Sequence, residues 1–166
     1  MTTPSSPRPL WHAIVAGGLT CGVLDISAAF TSAYLTNDRS PMWVLRAVAS
    51  AVLGRDAAFG GGAWVGVLGM AMHFLVAFSW TTVFCLLSRK FPALLRHVFV
   101  AGPVFGAGVY LFMNCITIPF CSWFRSLYLG TPVNWAHAPF GWPQFLIHLT
   151  CVGLAIALAV RHWSRR

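Results

Sequence analysis

The chain has 166 residues, of which 58% are hydrophobic and only 8% are charged, and its mean hydropathy is +0.73. Because soluble domains carry roughly 25% charged residues, this composition excludes an ordinary soluble domain and indicates a protein embedded in the lipid bilayer. The 11 basic residues outnumber the 3 acidic ones, but they lie mostly between and beyond the apolar runs. That arrangement is typical of membrane topology, so we expect no nucleic-acid partner.

In chain order, the first element is residues 1–9, whose polar and proline-rich composition predicts a disordered tail. The apolar run behind it is longer than the roughly 7 to 15 residues of a signal-peptide core, so we expect a retained helix. Four stretches are long enough to cross a hydrocarbon core about 30 Å thick as helices. They are residues 10–35, 63–87, 94–118 and 143–160. The fold prediction is a single all-α membrane domain over residues 10–163, a polytopic four-transmembrane-helix bundle, followed by a basic end at 164–166.

The first outer connection contains a further helix, predicted over residues 41–54 in "SPMWVLRAVASAVLG". Ser40 can cap its start, Pro41 fits its first turn, and Gly54 can end it. The segment is too short to span the bilayer, so it is predicted to be an interfacial or re-entrant helix. The second outer connection is rich in aromatic residues, which is typical of an interfacial belt.

The orientation follows from the number of basic residues on each side of the four helices. Seven share the side that holds both termini: Arg8, Arg89, Lys90, Arg96, Arg161, Arg165 and Arg166. Four share the other side: Arg39, Arg46, Arg55 and Arg125. The positive-inside rule therefore predicts that both termini are cytoplasmic.

Glycines recur at helical spacing in three of the four predicted spans. They are Gly18 and Gly22 in the first, Gly62, Gly66 and Gly69 in the second, and Gly102 and Gly106 in the third. Small residues at this spacing allow helices to approach closely in lipid, where van der Waals packing holds them together. The glycines therefore predict the helix-packing faces of a tight bundle.

Each span also carries polar residues on its packing face, and together they predict a buried polar cluster of Asp25, His73, Tyr110, Asn114 and His148. At about 1.5 Å per residue, Asp25 and His73 each lie roughly 15 Å from the outer ends of their helices. Asn114 and His148 lie roughly 6 to 8 Å from theirs. The cluster is therefore predicted to form two layers, Asp25 with His73 and Asn114 with His148.

A carboxylate at mid-helix costs about 2.5 to 3.5 kcal/mol to insert, so Asp25 is expected to face the bundle interior and a partner there. One role is interhelical hydrogen bonding that fixes helix register. Another is a proton relay, a third is coordination of a cation, and the last is acid–base catalysis. No catalytic or cofactor motif is present, and the five cysteines lack metal-binding spacing, so we predict no catalytic residues, no metal and no cofactor.

Several segments together carry a family resemblance: "VLDISAAF", "SPMWVLRAVASAVLG", "HFLVAFSW", "YLFMNCITIPF" and "LIHLTCVGLAIALAVR". They resemble the YagU-like uncharacterised membrane proteins of bacteria, over roughly residues 14–161. The resemblance implies a four-helix protein of the bacterial inner membrane. It brings no catalytic or ligand-binding residues with it.

Three functional hypotheses follow from these observations. The first is an inner-membrane protein of unknown biochemical activity, a packed helix bundle with a buried polar cluster and a capacity for self-association. The alternative is a proton-coupled transporter or channel for small solutes, acting as a homodimer because 166 residues are few for a complete transporter. The last is an intramembrane enzyme.

Overall fold

The computed structural model describes residues 9–135 and 140–164. Residues 1–8 of the predicted tail and 165–166 of the basic end lie outside this part of the chain. Every element within it is helical. The helices are α1 (Leu10–Asn37), α2 (Pro41–Leu53), α3 (Arg55–Gly60), α4 (Trp64–Lys90), α5 (Ala93–Arg96), α6 (Val98–Leu129) and α7 (Trp142–Ser164).

Helices α1, α4, α6 and α7 are each long and apolar enough to cross a membrane. The prediction of an all-α four-helix bundle is therefore confirmed, and the chain is a multi-pass membrane protein. We call the side with the two long connections, where α1 ends and α4 begins, the outer end of the bundle. The short connection through α5 lies at the inner end.

The third span differs from its predicted range, because α6 continues to Leu129 instead of ending at residue 118. Its aromatic second half is helix rather than connecting loop. A π-helical segment over Met113–Thr117 precedes Pro119, which lies in the first turn of the next α-helical stretch. Proline has no N–H to donate, and the π-helical turn before it is where the helix accommodates the missing hydrogen bond. The helix ends where Gly130 adopts a left-handed conformation with φ of 63°.

The four long helices close into a bundle in which α1 packs against both α4 and α7, and α7 packs against α6. Aromatic side chains join α4 to α6: the rings of Trp80 and Phe84 make edge contacts with Phe105, with centroids 6.0 and 5.0 Å apart. Buried residues fill the inner half of the bundle, among them Phe84, Val98, Ile156 and Val160. These residues form an apolar, packed core in the inner half of the bundle.

The short helix α2 is docked onto the long helices at the outer end. Its start is capped by Ser40, whose Oγ accepts a hydrogen bond from the Trp43 amide at 3.3 Å. Its last carbonyls, those of Ser50 and Ala51, accept hydrogen bonds from Arg125 of α6 at 3.2 and 2.9 Å. A cation at a helix C-terminus is favoured by the helix dipole. These contacts join α2 to the second half of α6.

Arg46 fixes the other side of this connection. Its guanidinium donates to the carbonyl oxygens of Phe59 and Gly61, at 3.2 and 2.8 Å, and so holds α3 and the turn after it against α2. On α4, Gly69 faces the backbone carbonyl of Leu45, which brings α2 into close contact with the start of that helix. Helix α2 is thus one wall of the outer half of the bundle.

Candidate functional site

A cavity of about 390 Å³ lies in the outer half of the bundle, with α1, α2, α4, α6 and α7 all contributing to its walls. Along α1 it extends from Cys21 to Asn37, the exposed end of the helix. Asn37 lies 16 residues after Cys21, which corresponds to about 24 Å along the helix axis. Its inner floor is apolar and includes the buried side chains of Ala77, Val109 and Val152. The cavity is therefore accessible from the outer end and closed below by the core.

Asp25 of α1 and His73 of α4 face each other in this cavity. Asp25 Oδ2 lies 3.9 Å from His73 Nδ1, and the two side chains are only 16% and 11% exposed. This separation is too long for a hydrogen bond. The second carboxylate oxygen, Oδ1, is buried without a hydrogen-bond partner among the described residues. The carboxylate is thus close to its neighbour but not tied to it.

The backbone fixes the proton of His73. Its Nε2 atom lies 2.9 Å from the carbonyl oxygen of Gly22 on α1. Because a carbonyl oxygen only accepts, Nε2 must carry the hydrogen. In the neutral ring the lone pair is then on Nδ1, the nitrogen that faces Asp25. His73 Nδ1 and the Asp25 carboxylate are both hydrogen-bond acceptors, and they face each other. One proton added to either group makes that group a donor to the other.

His148 of α7 shares the cavity with this pair. Its Nδ1 lies 2.9 Å from the backbone carbonyl oxygen of Gln144, so by the same argument Nδ1 carries the hydrogen and Nε2 bears the lone pair. Both imidazoles line the same cavity as the Asp25 carboxylate. The cavity therefore brings together one carboxylate and two proton-accepting ring nitrogens.

The structure does not divide the polar cluster into the two predicted layers. His148 belongs with Asp25 and His73, whereas the side-chain amide of Asn114 donates to the backbone carbonyl of Tyr110 at 2.8 Å. Tyr110 lies behind His148, with ring centroids 5.4 Å apart, and its hydroxyl accepts a hydrogen bond from the Gly141 amide at 3.0 Å. Asn114 lies farther from the outer end of its helix than the sequence estimate placed it, because α6 continues well beyond residue 118.

The predicted packing glycines have four different surroundings. Gly102 and Gly106 face the backbone of α7, and Gly66 and Gly69 face α2 rather than another long helix. Gly18 and Gly22 face the rings of Phe78 and Phe74 instead of the α4 backbone. Gly62 lies in the turn before α4 and contacts only the nearby side chain of Trp64.

Three contributing residues were not singled out from the sequence. Trp43 and Trp80 line the cavity, and Gly153 of α7 packs against Gly102 and Gly106. The signal for Trp80 is its position seven residues after His73, on the same helix face. Gly153 lies within a π-helical segment, His148–Leu154, where ordinary α-helical spacing does not apply. Nothing in the sequence places Trp43 at this cavity.

The carboxylate and imidazole side chains of the cavity are better suited to binding protons than to binding a metal ion. Within residues 9–135 and 140–164, no three histidine, cysteine or acidic side chains are placed to hold a metal ion together. What the carboxylate and the imidazoles can do is bind, share and release a proton.

Comparison with known proteins adds no assignment. No protein-family model matches the chain, and no curated protein or solved structure matches it significantly. The resemblance to YagU-like membrane proteins therefore stays a prediction.

Proposed function

We propose that this multi-pass membrane protein binds protons at Asp25, His73 and His148 and moves them in exchange with, or together with, a small solute. The observation that carries the proposal is the open geometry of the pair. Asp25 approaches the lone-pair nitrogen of His73 to 3.9 Å and makes no hydrogen bond within the described part of the chain. A purely structural role would call for a direct interhelical hydrogen bond to the carboxylate.

The shape of the cavity supports a transporter rather than a permanently open channel. Its outer part reaches the exposed end of α1, whereas the inner half below Ala77 is filled by the apolar core. This geometry corresponds to the outward-open state of a protein that alternates between two states. A solute bound next to Asp25 reaches the inner side only after the inner half has opened.

The proton site is tested by infrared difference spectroscopy on the purified protein, recorded across a pH titration. We expect a protonated-carboxyl band that is lost in Asp25→Asn and retained in Asp56→Asn. Asp56 is the matched control because it is an exposed aspartate in the first turn of α3, away from the cavity. A wild-type titration without an Asp25-dependent band contradicts the proton site.

Transport is tested in liposomes that contain a pH-sensitive dye and the purified protein, under an imposed proton gradient. We expect wild type and Asp56→Asn to dissipate the gradient faster than protein-free liposomes, and Asp25→Asn to match the protein-free rate. The reason is that the solute-free protein also alternates, and each such cycle carries the Asp25 proton across. Equal flux from wild type and Asp25→Asn would refute a proton-carrying role.

For location and orientation, we propose the bacterial inner membrane with both termini cytoplasmic. The seven-to-four excess of basic residues supports this orientation. Two of the four outer arginines, Arg46 and Arg125, have a separate structural role because they bind helix carbonyls. A C-terminal reporter active only outside the cytoplasm would contradict the assignment. Self-association as a homodimer stays a prediction.

A further inference from the structure

The charge of the cavity differs in sign from the charge of the chain. The chain carries a net charge of +8, but no lysine or arginine lines the cavity, and Asp25 is the one acidic residue that does so among the described residues. With neutral imidazoles, the cavity therefore has a single negative charge. The cavity does not favour the binding of anions, because a lone carboxylate in a poorly solvated site repels anions and attracts cations.

The cavity is also the wrong size for a bare inorganic cation. Its 390 Å³ corresponds to the volume of on the order of ten water molecules at roughly 30 Å³ each. That is within the range of small-molecule sites, roughly 300 to 1,000 Å³. Because the described residues offer no set of three metal ligands, the occupant that fits is an organic molecule bearing one positive charge.

Aromatic rings in the walls favour an ammonium group. Trp80 lines the inner part of the cavity and Trp43 the outer part, and tryptophan is the side chain with the strongest cation–π attraction. The Trp43 ring already has the Arg39 guanidinium 5.3 Å from its centroid. Trp80 is held by edge contacts to Phe105 and Phe112, at centroid distances of 6.0 and 5.1 Å. Trp80 is therefore the preformed aromatic surface nearer the cavity floor.

From these observations we propose that the cavity is a binding site for a small organic ammonium ion, whose charged head is held by the Asp25 carboxylate and by the ring of Trp80. The proposal rests on the proposed function, since it names the solute class that exchanges with the proton. A protonated carboxyl group carries no charge and cannot pair with the ammonium ion. Binding of the cation therefore releases the proton shared by Asp25 and His73 to the outer solution.

The groups around Asp25 are consistent with this competition. Those that can titrate and that line the cavity are Cys21 on α1 itself, His73 from α4 and His148 from α7. Helix α2 contributes Trp43, Val44 and Val48, and α6 contributes Val109 and Met113, none of which carries a charge. Protonation of either histidine cancels the negative charge of the cavity. Ammonium binding should therefore weaken as the pH falls.

The experiment is equilibrium binding of radiolabelled choline to the purified full chain in detergent, with dimethylbutanol, the neutral carbon isostere of choline, as competitor. We expect saturable choline binding at about pH 8 that is lost at about pH 5, on either side of the range in which imidazole ordinarily titrates. The isostere should compete at least about tenfold more weakly than unlabelled choline. Asp25→Asn should weaken binding by at least about tenfold, whereas Asp56→Asn should leave it unchanged.

A second measurement follows proton release with an indicator dye in weakly buffered solution at about pH 6.5, within the ordinary titration range of imidazole. There, choline but not dimethylbutanol should release protons from the wild type. Trp80→Phe, which leaves the carboxylate in place, should weaken choline binding and preserve the pH dependence. Choline and its isostere competing equally would overturn the ammonium site, even if Asp25→Asn failed to fold. Choline binding without proton release would overturn the exchange, and an Asp25-dependent infrared band without choline binding would overturn the ligand class alone.

Discussion

The two antiparallel helix pairs of the bundle contain the same small-residue spacing but pack in different ways. Between α6 and α7, glycine meets glycine: Gly153 packs against Gly102 and Gly106, and backbone touches backbone. Between α1 and α4, the glycines receive aromatic rings, with Phe78 against Gly18. The first kind of contact fixes the distance between two helix axes, while the second leaves it to the position of a side chain.

This difference determines where the cavity can form. The α6–α7 pair has no space between its backbones, and its contact is more extensive than that between α1 and α4. The α1–α4 pair is held apart by rings on one side and keeps room for Asp25 and His73 on the other. A glycine spacing in a membrane helix therefore identifies a packing face, but the residue opposite it determines how closely the backbones approach.

The largest expected effect comes from breaking the backbone contact with Gly106→Ala. A Cβ atom there would meet the carbonyl oxygen of His148, which belongs to the α7 backbone and cannot rotate away. We expect a loss of about 2 to 3 kcal/mol in the free energy of unfolding, measured by denaturant titration in detergent. Gly108→Ala is the matched control, because no atom lies within 4 Å of that added carbon. Equal stability of the two variants would contradict the backbone-packed interface.

A smaller effect is expected from Gly18→Ala on the other pair. The added carbon would meet the ring of Phe78, a partly exposed side chain that can rotate towards lipid. We expect a loss of about 1 kcal/mol, measured in the same titration. In the double variant with Phe78→Leu, most of that loss should disappear, because the coupling between the two positions is direct. A loss at Gly18 as large as that at Gly106 would show that both pairs pack backbone to backbone.

Much of the fold could be predicted because hydropathy and capping are local signals. The four apolar spans and the capped start of α2 at Ser40 both follow from sequence. The approach of Asp25 to His73 also follows from helical spacing and depth, while the role of this pair stays a prediction. The extension of α6 to Leu129 could not be predicted, because a π-helical segment carries the helix past Pro119.

The remaining parts of the site depend on contacts between residues far apart in sequence. Trp43 reaches the cavity because α2 is docked by Arg125, which is 74 and 75 residues from its two carbonyl partners. His148 joins Asp25 because α7 packs along α1 and both helices line the cavity. Neither contact has a local sequence signature. Single-helix periodicity therefore predicts which side chains face inward, but not which of them share one cavity.

The smallest expected effect separates the two members of the α1–α4 polar pair. His73 makes a hydrogen bond to the Gly22 carbonyl across the interface, whereas the Asp25 carboxylate has no hydrogen bond within the described residues. We expect His73→Leu to lower the free energy of unfolding by about 0.6 kcal/mol, typical of an interhelical hydrogen bond in a membrane protein. Asp25→Leu should leave stability unchanged or raise it, because the variant no longer buries an unpaired carboxylate. Both values come from denaturant titration in detergent, with helix content followed by circular dichroism. If Asp25→Leu proves as destabilising as His73→Leu, the carboxylate holds the helices together, and the α1–α4 pair resembles α6–α7 in being built for stability alone.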